Sequence, residues 1–230
     1  MTLRLHFVVE GQTEEEFVKS VLAPHLGLLG ISSDARRVAT GRARARIFRG
    51  GTTSYARVKR DLSLWMKEDK GNDAHFTTMV DLYAIPDDFP RYAELKGGQD
   101  PYARVHSLEV AMAEDIGHPR FVPYIQLHEF EALLLCDPAV LAEEFLRRDR
   151  QIANLVRMVS GFESPELIDD GHDTCPSRRI IAEIPEYEGR KPSAGPRIAG
   201  RIGLLVIRQK CHHFDDWLKE IETIKEREAS

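Results

Sequence analysis

The stretch Leu3-Arg4-Leu5-His6-Phe7-Val8-Val9-Glu10-Gly11-Gln12-Thr13-Glu14-Glu15-Glu16-Phe17 carries an apolar run into a lone acid, a glycine and an acidic helix start. Leu5, Phe7, Val8 and Val9 are apolar without strict alternation, the pattern of a strand buried on both faces in a parallel sheet. Gly11 permits a tight turn. Thr13 and Glu16 spell a Thr-x-x-Glu capping box, which accounts for a helix start and makes Glu14, Glu15 and Glu16 favourable beside the positive helix end. Glu10 precedes that cap and gains nothing from it. At the C-terminal rim of a strand, where open α/β sheets bind ligands, it reads as a metal ligand or proton-transfer group.

The same alternation continues outward. Strands are predicted at residues 3–9, 43–48, 76–82 and 121–127, with helical patterns between them at 13–29, 55–67 and 102–116. This βαβ succession implies an α/β fold with a four-stranded parallel sheet flanked by helices. Beyond Leu127 the strand signals fade. Amphipathic helices are expected at 139–158 and 215–227, and the Pro- and Gly-rich segment 189–196 reads as an ordered loop before a helix from about Arg197. The expected organisation is an α/β core over residues 1–135 and a mainly helical C-terminal extension, 136–230, packing on that core.

A chain of 230 residues with 42% hydrophobic content can build a substantial core. No apolar run approaches the roughly 20 residues that cross a bilayer, and no basic region with a signal core opens the chain, so a cytoplasmic location is expected. Cys136, Cys175 and Cys211 are odd in number and widely spaced, which suits reduced thiols.

A net charge of -5 gives no general attraction for nucleic acid. Locally the balance reverses. Arg36, Arg37, Arg42, Arg44, Arg46, Arg49, Arg57, Lys59 and Arg60 follow one another with no acid among them. On a strand at 43–48, Arg42, Arg44 and Arg46 share one face and, with Arg49, would track phosphates. The blander account is a sheet edge guarded by charge.

Two further segments repeat the strand-end acid. Thr77, Thr78, Met79 and Val80 lead to Asp81, with no helix following at once for it to cap; Asp87 and Asp88 lie beyond it between Pro86 and Pro90, in turn-forming company. His128-Glu129-Phe130-Glu131 follows the fourth apolar run, and if the strand continues, Glu129 and Glu131 point the same way. Carboxylates gathered from several strand ends repel one another unless a hard cation such as magnesium or manganese sits among them. Alternatively, Glu131 opens a short helix and serves its dipole.

Val9-Glu10-Gly11-x-Thr13-Glu14, the strand ending at Asp81, Leu127-His128-Glu129-Phe130-Glu131-Ala132 and Lys191-Pro192-Ser193-Ala194-Gly195 together resemble the domain of unknown function 4276 family, which is Toprim-like. The resemblance covers nearly the whole chain and implies a Toprim-like four-stranded parallel core between helices. It is similar in turn to nucleases of the overcoming-lysogenization-defect type, which hold two divalent ions. By motif, Glu10 and Glu14 match the acid pair after the first strand, Asp81 the first acid of Asp-x-Asp, and Glu129 with Glu131 the acid-x-acid pair after the fourth. Lys191 resembles the downstream catalytic lysine. The second Asp-x-Asp acid is Tyr83 here, which leaves that metal site weakened or completed by Asp87 or Asp88.

The resemblance therefore implies a nuclease in which Glu10, Asp81 and Lys191 are catalytic, with at most two Mg2+ or Mn2+ ions on Glu10, Glu14, Asp81, Glu129 and Glu131 and no organic cofactor. The substrate would be DNA or RNA. The family context adds phage defence beside a partner ATPase. Two other classes stay open: a Toprim-shaped binding module without chemistry, to which Tyr83 is the clue, and a structural zinc site built from His172, Cys175, Cys211 and His212 or His213.

Overall fold

β1 (Leu3–Val9) is the strand around which the molecule is built. It pairs in parallel with β2 (Ile31–Arg37) on one side, Leu3 opposite Ile31, and with β3 (Ala74–Asp81) on the other, Leu5 opposite His75. A fourth strand, in two pieces, β4 (Phe121–Val122) and β5 (Ile125–Gln126), pairs with β3 and completes a parallel sheet in the order β2-β1-β3-β4. The computed structural model describes residues 2–39, 54–83, 85–95, 100–168, 171 and 173–228.

Helices lie on both faces of the sheet. α1 (Gln12–Phe17), a π-helical turn at Val18–Leu22 and α2 (Ala23–Leu28) run from β1 to β2. α3 (Tyr55–Glu68) precedes β3, and α4 (Pro101–Ile116) separates β3 from β4. Leu3, Leu5, Phe7 and Val9 pack with α1 and α2, whereas Val8 packs with Tyr55, Leu62 and Trp65 of α3 and Leu108 of α4. This period-two split gives each face its own core, so β1 is buried except at Arg4.

The chain after the sheet is helical: α5 (Glu131–Leu134), α6 (Asp149–Val159), α7 (Pro176–Glu183), α8 (Lys191–Ile202), α9 (Leu204–Lys210), α10 (His212–Glu222) and α11 (Ile224–Glu228), with single 3-10 turns at Pro138–Glu143, Pro165–Leu167 and Pro185–Arg190. Its apolar residues, among them Ile152, Ile180, Ile198, Phe214 and Trp217, join the same core as Phe7 and Phe17. Trp217 of α10 donates from Nε1 to Thr77 Oγ1 of β3 at 3.0 Å and stacks on Tyr124 at 4.0 Å. Among the described residues no helix is long and apolar enough to cross a membrane.

Several expectations are corrected. The strand beside β1 is Ile31–Arg37, placed directly after Gly30, whose φ of 72° ends the preceding helix. The segment predicted as a strand at 43–48, with Arg42, Arg44, Arg46 and Arg49, lies outside the described residues. The fourth strand breaks at Pro123, which has no N–H for a ladder. The helix expected over 139–158 is confined to α6, after a 3-10 turn begun at Pro138. The expected 189–196 loop is instead a 3-10 turn running into α8. Pro192 is tolerated there because the first turn has no intrahelical use for its N–H, and Pro196 sits inside the helix.

Candidate functional site

Glu10 directly follows β1, and Gly11 is the N-cap of α1. The helix thus starts two residues earlier than the Thr13–Glu16 capping box predicts. Glu14, at the third helical position, folds back and accepts the Gly11 backbone N–H at 2.9 Å. Asp81 ends β3 beside it, and its backbone N–H donates to Glu10 Oε2 at 3.2 Å. The fourth strand does not continue into the acid pair. His128 adopts a left-handed φ of 60° and turns the chain, after which Phe130 N–H donates to Asp81 Oδ1 at 3.1 Å and Glu131 opens α5. The placement of Glu129 and Glu131 is therefore set by this turn and not by strand alternation.

The second half of the chain closes over these acids. Ser177 in the first turn of α7 donates its backbone N–H to Glu129 Oε2 at 2.8 Å and its hydroxyl to Glu129 Oε1 at 3.1 Å. Tyr187 donates its hydroxyl to Glu131 Oε1 at 3.1 Å, and Lys191 Nζ, at the first position of α8, stands 3.1 Å from the same oxygen. α8 can come this close because position 195 is glycine: a Cβ there would lie 3.2 Å from Phe130 Cε1 and 3.2 Å from Thr13 Cγ2. Glu14, Glu129 and Glu131 are buried, while Glu10 and Asp81 are part-exposed.

Gathering these acids carries an electrostatic cost. Burial, with repulsion from Glu129, lifts the Glu10 carboxyl to about 7 against the opposing hydrogen bond from Asp81. Burial and repulsion from Glu10 and Glu131 lift Glu14 to about 7. Asp81 is raised well above the carboxylate range by burial and then by Glu14, Glu10, Glu129 and Glu131. Glu131 is raised by burial, with Lys191 pulling the other way. Burial lowers the Lys191 ammonium, but Glu131, Glu129 and Asp81 outweigh it, so its proton is held more tightly than usual.

Glu10, Glu14, Asp81, Glu129, Glu131 and Lys191, from four separate segments, are thus in one electrostatic group. Asp88 is elsewhere: it accepts the Tyr55 and Ala56 N–H groups at 3.0 Å each and caps α3. Asp87 beside it is exposed, and Tyr83 is part-exposed, its N–H bonded to His128 O at 2.8 Å. Ser177 and Tyr187 were not singled out by the sequence; Cys-Pro-Ser ahead of an apolar-periodic segment is a helix-start signal that would have pointed to Ser177.

The donors are all hard carboxylate oxygens, the set that suits magnesium or manganese, and a cation would relieve the repulsion that raises their titrations. Among the described residues no three His, Cys, Asp or Glu side chains stand where they could together hold a metal ion, so it is the donor chemistry and not a preformed geometry that fits a divalent ion. An open cleft of about 610 Å³ leads away from Glu10 between Gly11, Gln12 and Glu15 and residues 35–39. The zinc constellation does not assemble among the described residues. Cys211 Sγ faces Cys136 Sγ at 3.3 Å, His213 Nε2 lies 3.0 Å from Glu109, and His172 is outside them.

A family model described as Domain of unknown function (DUF4276) matches residues 9–222. Two solved structures of the C-terminal region of the Xanthomonas campestris pv. campestris OLD protein are similar in fold: one at 15% identity and a TM-score of 0.44 over 99% of this chain and 98% of that one, the other at 18% and 0.43 over 98% of each. No curated protein matches the chain.

Proposed function

Because the chain belongs to the family described as Domain of unknown function (DUF4276), we propose that its acid cluster hydrolyses phosphodiester bonds in DNA or RNA with the help of magnesium or manganese. The observation that carries this reading is the meeting of Glu10, Glu14, Asp81, Glu129 and Glu131 with one ammonium, Lys191, 3.1 Å from Glu131. Those five carboxylates would hold the cation, two at most, and the bound cation would supply an activated water and charge neutralisation.

The chain's own groups divide the remaining work. Backbone amides of Gly11, Asp81 and Phe130 each hold one oxygen of an acid. Ser177 fixes both oxygens of Glu129. Lys191 keeps its proton beside Glu131 and would neutralise a non-bridging phosphate oxygen of the substrate. Arg42, Arg44, Arg46 and Arg49 would hold the flanking backbone, and the sequence resemblance adds a partner ATPase in phage defence.

A binding module without chemistry is the second reading, favoured by Tyr83 in place of an acid and by the absence, among the described residues, of a ready-made metal position. Incubation with mixed DNA and RNA separates the two. The hydrolase cuts in magnesium or manganese and stops in chelator. Binding without cutting in either metal selects the module.

A further inference from the structure

We propose that Arg190, Arg197 and Arg201 form a ridge along α8 that binds the phosphate backbone of a nucleic acid and leads the strand to Lys191; the substrate class rests on the hydrolase reading above. The spacing of seven and four residues puts the three arginines on one helical face. All three converge on Glu144: Arg190 Nη2 at 3.1 Å, Arg197 through Nε and Nη2 at 2.9 Å each, and Arg201 Nη1 at 2.8 Å. The arginine side chains are 44%, 50% and 39% exposed and that of Glu144 only 8%.

One carboxylate is matched by one bidentate guanidinium, and Arg197 already occupies both Glu144 oxygens. Arg190 and Arg201 therefore bring surplus charge that Glu144 does not cancel. Glu143, 3.3 Å from Arg201, is itself 60% exposed and offsets that surplus only weakly. Planar, exposed guanidiniums with N–H groups to spare suit phosphate oxygens.

Placement gives the ridge its use. Arg190 adjoins Lys191 in sequence, and at about 1.5 Å per residue Arg197 and Arg201 lie about 9 and about 15 Å along the axis from Lys191. That span matches about four nucleotide steps of about 3.4 Å. The ridge also shares a scaffold with the acids: Arg190 Cζ is 5.0 Å from the Phe145 ring, Phe145 meets Tyr187 edge-on at 6.2 Å, and Tyr187 bonds Glu131. A polyanion approaching five carboxylates in a chain of net charge -5 needs such a local positive track.

The competing account makes the same contacts a tie between Glu144 and α8, and substitution of Glu144 tells them apart. Fluorescein-labelled DNA and RNA oligonucleotides of one mixed sequence, single stranded and duplex, are titrated in chelator across a range of salt and followed by anisotropy. The ridge predicts that Glu144→Gln tightens binding several-fold at low salt, because it frees arginines for phosphate. Arg197→Ala with Arg201→Ala lowers the slope of log affinity against log salt by about two units on duplex DNA, and the paired Arg→Lys variant keeps the slope. Unchanged or weaker binding by Glu144→Gln, an unchanged slope in the alanine pair, or no binding of any probe by the wild type overturns the ridge. Magnesium is then added to read cleavage separately. Binding through the ridge without cleavage removes the hydrolase reading alone, and cleavage with an unaltered salt slope removes the ridge alone.

Discussion

Ser177 is joined to Glu129 twice, by its backbone N–H at 2.8 Å and its hydroxyl at 3.1 Å, so the N-terminus of α7 holds a buried carboxylate of the candidate site in one orientation. A helix start is a natural seat for an anion, and here it is occupied by one of the chain's own acids.

Ser177→Ala is expected to lower stability by about 1–3 kcal/mol, since it removes a hydroxyl donor from a buried carboxylate. It should also weaken manganese binding by loosening Glu129. Ser177→Thr should restore both. Thermal melts and manganese titration followed by electron paramagnetic resonance measure the two effects; an alanine variant with native manganese affinity separates Glu129 from the metal.

Glu10 and Glu14 titrate near 7 against an ordinary 4.5. A carboxyl raised in the folded state adds stability that is complete below its unfolded value and is lost as pH rises through the folded one. The metal-free protein should therefore melt at progressively lower temperature as pH climbs from about 4.5 to beyond about 7, and Glu10→Gln should flatten that decline. Magnesium should raise the melting temperature of the wild type and do less for Glu10→Gln and Asp81→Asn. Equal protection of all three by magnesium would exclude these acids as ligands.

Lys191→Ala is expected to cut single-turnover cleavage on the order of a hundredfold, because a positioned positive charge at a transferring phosphate contributes several kcal/mol. Lys191→Arg should recover part of it, its planar charge sitting differently. A rate unchanged at saturating metal would make the lysine only a partner of Glu131.

Gly195→Ala tests the close approach of α8. The added methyl meets Phe130 and Thr13 at 3.2 Å each, and the strain is expected to lower stability by about 1–3 kcal/mol. Denaturant midpoints measure it. Cleavage should fall further than stability explains, because Lys191 moves with the helix.

The central strands and the acids at their ends were legible because burial on both faces leaves uninterrupted apolar runs, and a charge after such a run stands out. β2 was not, because an edge strand in the sequence Ile-Ser-Ser-Asp-Ala-Arg-Arg has little to bury and resembles a loop. The cap of α1 misled for a different reason: Thr13 and Glu16 fit the motif, but the pair that forms, Glu14 reaching back to Gly11, lies two residues nearer the strand. Lys191 was assigned by resemblance, while its setting in a helix was hidden by Pro192 and Pro196, residues that ordinarily mark loops. Tyr187 gave no signal at all, since only the tertiary fold decides what a tyrosine hydroxyl meets.

The two margins of the sheet are closed to newcomers by different means. β2 presents exposed Asp34, Arg36 and Arg37 along its length, and the opposite margin is interrupted at Pro123, where a partner chain would find no amide to bind. A parallel sheet assembled from strands far apart in sequence leaves its borders bare while the chain is still folding. Charge on one border and proline on the other guard that interval against the strand-to-strand stacking that begins aggregation, and among the described residues the sheet ends at four strands.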